Sequence, residues 1–327
     1  MPLRSLTLAA PLFRNPHLQT IASHYWPRPH PAHFPKERRM IETEPGIQVL
    51  VESQRPVGEA AGEIVMVHGL EGSGEAEYVG SLAAAALAAG LAAHRFHMRT
   101  CGGTESYANT LYHAGLTSDL AAVLRRFGDE GRPPAFLVGF SLGGNVVLKL
   151  AGELGETAAS VIRGVCAVST PLDLAACARR IDERENWVYQ YRFVRRMRAR
   201  LRATGRYRLE DFAGLRSVMA IDDRITAPSF GFGNADNYYR TQSAMNFLDA
   251  VRVPTLLIQA KDDPLVPYEI FQRLPQNPCI ELLATEHGGH LGFLGKRPHR
   301  FWLDEALMEW IEKQNQKAAS HAPRASR

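Results

Sequence analysis

Six apolar runs punctuate the chain at 63–68 (EIVMVH), 91–97, 135–140 (AFLVGF), 161–169, 255–260 (TLLIQA) and 279–284. Each is short and mostly apolar, and 63–68 in particular has the clean pattern of a buried strand. Between and after them lie stretches that predict helices: the alanine-rich 75–89 closed by Gly90, then 113–127, 142–154 and a closing helix over 302–313. In the second of these, Thr117-Ser118-Asp119 falls near the middle. Strand and helix thus alternate, which predicts an α/β protein with a mostly parallel central sheet covered on both faces. Two further runs, 38–43 and 46–53, flank Glu44-Pro45 and predict a hairpin at the sheet edge.

The alternation breaks between 171 and 247, where no core strand is legible. Its main feature is 186–204, NWVYQYRFVRRMRARLRAT, in which Trp187, Tyr191, Val194 and Met197 recur at helical spacing. A helix so basic suits a nucleic-acid or membrane surface, but the reading adopted here is a helical cap above the active-site edge. At the other end, seven prolines within residues 1–36 predict an arm without long regular elements. The expected division is an arm (1–36), a core (37–170 and 248–316), a helical cap insertion (171–247) and a flexible tail (317–327).

Composition narrows the function classes. The chain has 327 residues, enough for a large core, and a formal charge of only +4. Cys101, Cys166, Cys177 and Cys279 lie too far apart for a C-x-x-C metal or redox pair. They read as reduced thiols of a cytoplasmic protein. The N-terminal apolar stretch is brief and broken by Pro11, which argues against a signal peptide. No run is long enough to span a bilayer. Neither nucleic acid nor stable membrane insertion is expected.

The candidate chemistry starts at Gly139-Phe140-Ser141-Leu142-Gly143, a G-x-S-x-G match between an apolar strand and an apolar helix. A serine there sits on a sharp turn, with the helix amides and their partial positive charge behind it. A hydroxyl is a weak nucleophile and needs a base, for which histidine is suited; a carboxylate then fixes the ring tautomer. Asp263 follows one late strand and His290 the next, and both strand ends face ligand-binding edges in open sheets. Asp262 and His287 are the respective alternatives. The order serine–aspartate–histidine is that of α/β hydrolases. Oxyanion donors are expected at the backbone amides of Leu142 and Leu70, the latter in the His68-Gly69-Leu70-Glu71-Gly72 loop. His68 reads as a loop-shaping residue, Arg99 as either a structural ion pair or an acyl-side contact, and Cys101 as an unactivated thiol.

The chain resembles the YheT-like branch of the α/β hydrolases, with its eukaryotic ABHD relatives. The resemblance covers nearly the whole chain. It rests on Asn15-Pro16-His17-Leu18-Gln19-Thr20, HGLEG at 68–72, Leu111-Tyr112-His113-Ala114-Gly115 with Asp119, and GFSLGG at 139–144. Tyr238-Tyr239, Asp262-Asp263-Pro264 and Gly288-Gly289-His290-Leu291-Gly292-Phe293 complete it. It implies the α/β-hydrolase fold, a triad of Ser141, Asp263 and His290, and carboxylic ester hydrolysis through an acyl-enzyme on a small or lipid-like ester, a mechanism that requires no metal and no organic cofactor. Relatives usually carry Arg-Gly-Cys where this chain has Arg99-Thr100-Cys101. Thioester or amide hydrolysis would use the same atoms, and a non-catalytic binding role on the same fold is the alternative from another class.

Overall fold

The computed structural model describes residues 10–321. The signal-peptide reading at the extreme N-terminus and the tail beyond residue 321 lie outside them. Eight strands form one sheet: β1 (Lys36–Glu44), β2 (Ile47–Gln54), β3 (Glu63–Val67), β4 (Ala92–Phe96), β5 (Ala135–Phe140), β6 (Ile162–Val168), β7 (Thr255–Ala260) and β8 (Ile280–Thr285). Their order is β1-β2-β4-β3-β5-β6-β7-β8. The β1–β2 and β2–β4 pairs are antiparallel and the remainder parallel. The edge hairpin and the parallel core match the hydrophobic pattern, because β3 to β7 are buried on both faces.

Helices α2 (Glu77–Ala88), α3 (Ser118–Asp129), α4 (Leu142–Leu154) and α10 (Trp302–His321) cover the sheet. Val65, Leu137, Val147 and Leu257 belong to the core on one face, and Met66, Phe136, Leu307 and Trp310 to that on the other. Each such side chain contributes about 1.5–3 kcal/mol through burial. Between β6 and β7 the chain forms α5 (Leu174–Asp182), α6 (Trp187–Ala203), the short turns α7 (Val218–Ile221) and α8 (Ala227–Ser229), and α9 (Ala235–Gln242). This insertion has apolar cores of its own, built on Val194, Met197, Leu201 and Ile221, and on Ala178, Tyr238 and Tyr239.

Four expectations need correction. The proline-rich arm contains a regular helix, α1 (Pro16–Tyr25), because its proline occupies the first helical turn behind the Asn15 cap. Helix α3 begins at Ser118, so Thr117-Ser118-Asp119 forms its start and 113–117 is an irregular loop. On α6, Trp187 and Tyr191 are 65% and 64% exposed. Val194 and Met197 are buried as expected, and Tyr189 and Leu201 complete the buried stripe in place of the two aromatics. Finally, α10 continues past Lys313 to His321.

Candidate active site

Strand order creates the site. From β3 the chain crosses to β4 on one side, while β5 lies on the other, so the carboxyl ends of β3 and β5 open a crevice. Ser141 stands at the end of β5 with φ +52 and ψ −121, a conformation that an L-residue holds only under constraint. The flanking glycines are steric requirements. A Cβ on Gly139 would lie 2.3 Å from the Gly143 carbonyl oxygen, and one on Gly143 would lie 2.3 Å from the Val67 carbonyl oxygen. The turn is therefore pressed against both α4 and β3.

The loop after β8 brings His290 to Ser141. His290 Nε2 lies 2.9 Å from Ser141 Oγ, and its Nδ1 lies 2.9 Å from Asp263 Oδ2. Asp263 follows β7, and its carboxylate side chain is fully buried. Its Oδ1 accepts the Leu265 and Val266 amides at 2.9 and 3.1 Å, and its Oδ2 accepts Gln259 Nε2 at 3.2 Å. With Nδ1 facing a carboxylate, the ring carries its proton there and presents Nε2 as acceptor to the hydroxyl.

The backbone around Leu70 and Leu142 suits an oxyanion. Leu142 is the first residue of α4, so its amide is one of the unpaired donors at the helix start. In the 68–72 loop the Gly69 amide donates to Tyr78 Oη and the Glu71 amide to Tyr112 Oη. Among the described residues the Leu70 and Leu142 amides have no acceptor. Gly69 packs on Ser141: a Cβ there would meet Ser141 Cβ at 3.1 Å.

Each rival residue has another occupation. Asp262 Oδ1 accepts the Gly288 and Gly289 amides at 2.9 Å, and its Oδ2 contacts His287 Nδ1 at 3.1 Å. That pair shapes the loop that carries His290. His68 is buried, with Nδ1 2.8 Å from the Gly69 carbonyl and Nε2 accepting the Met98 amide. Burial pushes its pKa down to about 3, so it stays neutral. Arg99 forms ion pairs with Asp119 and Glu44, a structural role, and does not line the cleft. Burial pushes the Cys101 thiol up, away from reactivity. Thr100 has φ +61, where glycine carries no penalty, and its hydroxyl accepts Arg200 at 3.0 Å.

Other site residues were not singled out for a role from sequence. Thr20 Oγ1 accepts the His290 amide at 2.8 Å. Gln19 grips Leu294, accepting its amide at 2.9 Å and donating to its carbonyl at 3.1 Å. His17 on the same helix contacts Tyr189 Oη at 3.0 Å, so α1 bridges the histidine loop and α6. The signal was Asn-Pro, a helix cap followed by proline at the first turn. Asn145 on α4 donates to the Ala114 and Gln242 carbonyls and accepts the Ala244 amide, tying the 111–115 loop to the insertion.

Ser141, Leu70, Leu142 and His290 open onto a narrow cleft of about 80 Å³ beneath the insertion. Leu174, Ala178, Ile181, Met197, Val218 and Leu265 give it apolar walls. At its polar side Arg200 forms an ion pair with Glu71 at 2.9 Å, and Tyr239 Oη donates to Asp222 at 2.7 Å. Burial raises the Asp222 carboxyl to about 6. Among the described residues no group of His, Cys, Asp and Glu could hold a metal ion, and no helix is long and apolar enough to cross a membrane.

Comparison with known proteins agrees with this architecture. Residues 64–303 match the model of the alpha/beta hydrolase family. YheT of Escherichia coli (strain K12) is 32% identical over 313 residues, covering 91% of each chain. The medium-chain fatty acid ethyl ester synthase/esterase 2 of Saccharomyces cerevisiae is 27% identical, over 88% of this chain and 67% of its own. Among solved structures, the esterase Pf2001 of Pyrococcus furiosus superposes with a TM-score of 0.58 at 17% identity. It covers 88% of this chain and 98% of its own, a likeness of fold.

Proposed function

Since this chain belongs to the α/β hydrolase family, in its YheT-like branch, we propose that it is a serine carboxylic ester hydrolase acting through Ser141, His290 and Asp263. The observation that carries this reading is the continuous contact from Ser141 Oγ to His290 Nε2 (2.9 Å) and from Nδ1 to Asp263 (2.9 Å) at the mouth of an apolar cleft. Ser141 Oγ attacks the ester carbonyl carbon while its proton passes to His290 Nε2. The amides of Leu142 and Leu70 hold the developing oxyanion. As the tetrahedral adduct collapses, His290 returns the proton to the leaving oxygen and the alcohol departs, leaving an acyl group on Ser141. Water then gives a proton to His290 as it attacks the acyl carbon. Collapse releases the carboxylic acid and restores the Ser141 hydroxyl. Throughout, Asp263 accepts the Nδ1–H bond and balances the imidazolium charge.

The insertion over 171–247 acts as the cap on a core of 37–170 and 248–316, keeping bulk water from the acyl group. Its apolar walls suit an acyl chain, in line with the fatty acid ester named for the yeast relative. A p-nitrophenyl ester series tests this. Each buried methylene is expected to raise kcat/KM roughly fourfold until the cleft is filled, and Ser141→Ala removes the activity. Turnover that ignores chain length, or that survives Ser141→Ala, contradicts the proposal. Faster turnover of the matching acyl thioesters would change the leaving group while keeping the triad.

A further inference from the structure

Helix α6 serves the cleft with one side only. Its buried side supplies Met197 and Arg200 to the pocket wall. The opposite side carries Trp187 and Tyr191, one turn apart, followed by Arg195 and Arg202 along the same stripe. With Leu209 and Arg216 from the following segment they line an open groove on the surface. Trp187, Tyr191 and Leu209 are 65%, 64% and 66% exposed. Large apolar side chains left in water on one face mark a contact surface.

The charge is one-sided. Arg195, Arg198, Arg202 and Arg216 line the groove, and no Asp or Glu does. Arg198 is engaged by the Phe212 and Leu215 carbonyls. Arg195, Arg202 and Arg216 have no carboxylate partner among the described residues. In the neighbouring segment Glu210 pairs with the Arg208 guanidinium and Asp211 accepts the Arg208 backbone amide. Such a face asks for a partner that is anionic and also accepts aromatic and aliphatic side chains beside the charge. An interfacial helix has this composition: aromatics at the level of the headgroups and arginines meeting their phosphates.

We propose that the outer face of α6, with Leu209 and Arg216, docks the protein peripherally on an anionic lipid surface. The same helix borders the open side of the active site, where Arg192, Phe193 and Arg196 approach Ser141 and His290. Docking would hold the mouth of the site beside the headgroups, so an ester bearing an acyl chain reaches the cleft from the membrane without crossing bulk water. The proposal needs no catalysis, so it stands or falls separately from the esterase reading.

The test is co-sedimentation of the whole protein with phosphatidylcholine vesicles, with and without phosphatidylglycerol, at low and physiological salt. Wild type is expected to bind the phosphatidylglycerol vesicles and to release them as salt rises. An R195Q/R202Q/R216Q variant is expected to bind roughly a hundredfold more weakly, at about fivefold per arginine removed. Trp187→Ala with Tyr191→Ala should weaken binding roughly tenfold. Circular dichroism and melting temperature check that each variant is folded. Wild type that stays in the supernatant, or variants that bind as wild type does, would overturn the proposal. So would binding to single-stranded DNA or polyglutamate with none to vesicles, which would assign the face to a polyanionic chain.

Discussion

Buried titratable groups make this protein's stability depend on pH. His68 and His113 have an ordinary value of 6.5, pushed down to about 3 by burial. Between those values the unfolded chain binds protons that the folded chain refuses, so both contribute stability that is lost on acidification. Asp222 acts in the opposite direction. Its carboxyl is raised from 3.8 to about 6 by burial, so from about pH 4 to 6 the folded chain holds a proton that the unfolded chain has lost. Its contribution therefore falls as pH rises through that window. Asp222→Asn keeps the shape and an acceptor for Tyr239 but cannot titrate. We expect the variant to be more stable than wild type at pH 7, with the gap narrowing by about 1 kcal/mol at pH 5. Urea unfolding of both proteins at the two pH values measures it; an unchanged gap would show that Asp222 does not take up its proton there.

At the scale of elements, α1 is the piece whose role the sequence concealed. Counting prolines made 1–36 look irregular, yet Pro16 starts a helix whose Gln19 and Thr20 hold the loop bearing His290. Hydrophobic pattern marks what an element buries in the core, and α1 is bound mainly by polar contacts to a loop distant in sequence. Strands β3 to β7 were legible for the opposite reason, since burial on both faces leaves mostly apolar runs. On α6 the helix itself was readable, whereas its orientation was not. Aromatic residues at helical spacing look like a buried stripe even where, as with Trp187 and Tyr191, they face water. The clamp is testable. Thr20→Val removes the acceptor for the His290 amide at nearly constant shape, so kcat on a short ester is expected to fall about tenfold, from loosened geometry at the base. KM should change little, because Thr20 does not line the cleft. A rise in KM at constant kcat would point to substrate binding instead.

For the molecule as a whole, the parallel sheet sets the site at its carboxyl edge, and the insertion supplies much of the cleft wall above it. Ser141, Asp263 and His290 could be proposed from sequence because each follows a strand that is recognisable by itself, and their order limits the choice of chemistry. The cleft could not be proposed in the same way. Its walls come from α5, α6, α7 and the 111–115 loop, and their convergence is a property of packing between segments far apart in the chain. The Arg200–Glu71 pair likewise joins residues 129 positions apart.

The central claim is that Ser141 is an activated nucleophile. The direct measurement is to incubate the folded protein with a fluorophosphonate probe and map the adduct by mass spectrometry, with Ser141→Ala alongside. The account predicts one adduct, on Ser141, and none on the variant. An adduct on another residue, or a folded wild type that takes up no probe while hydrolysing no ester, would contradict it.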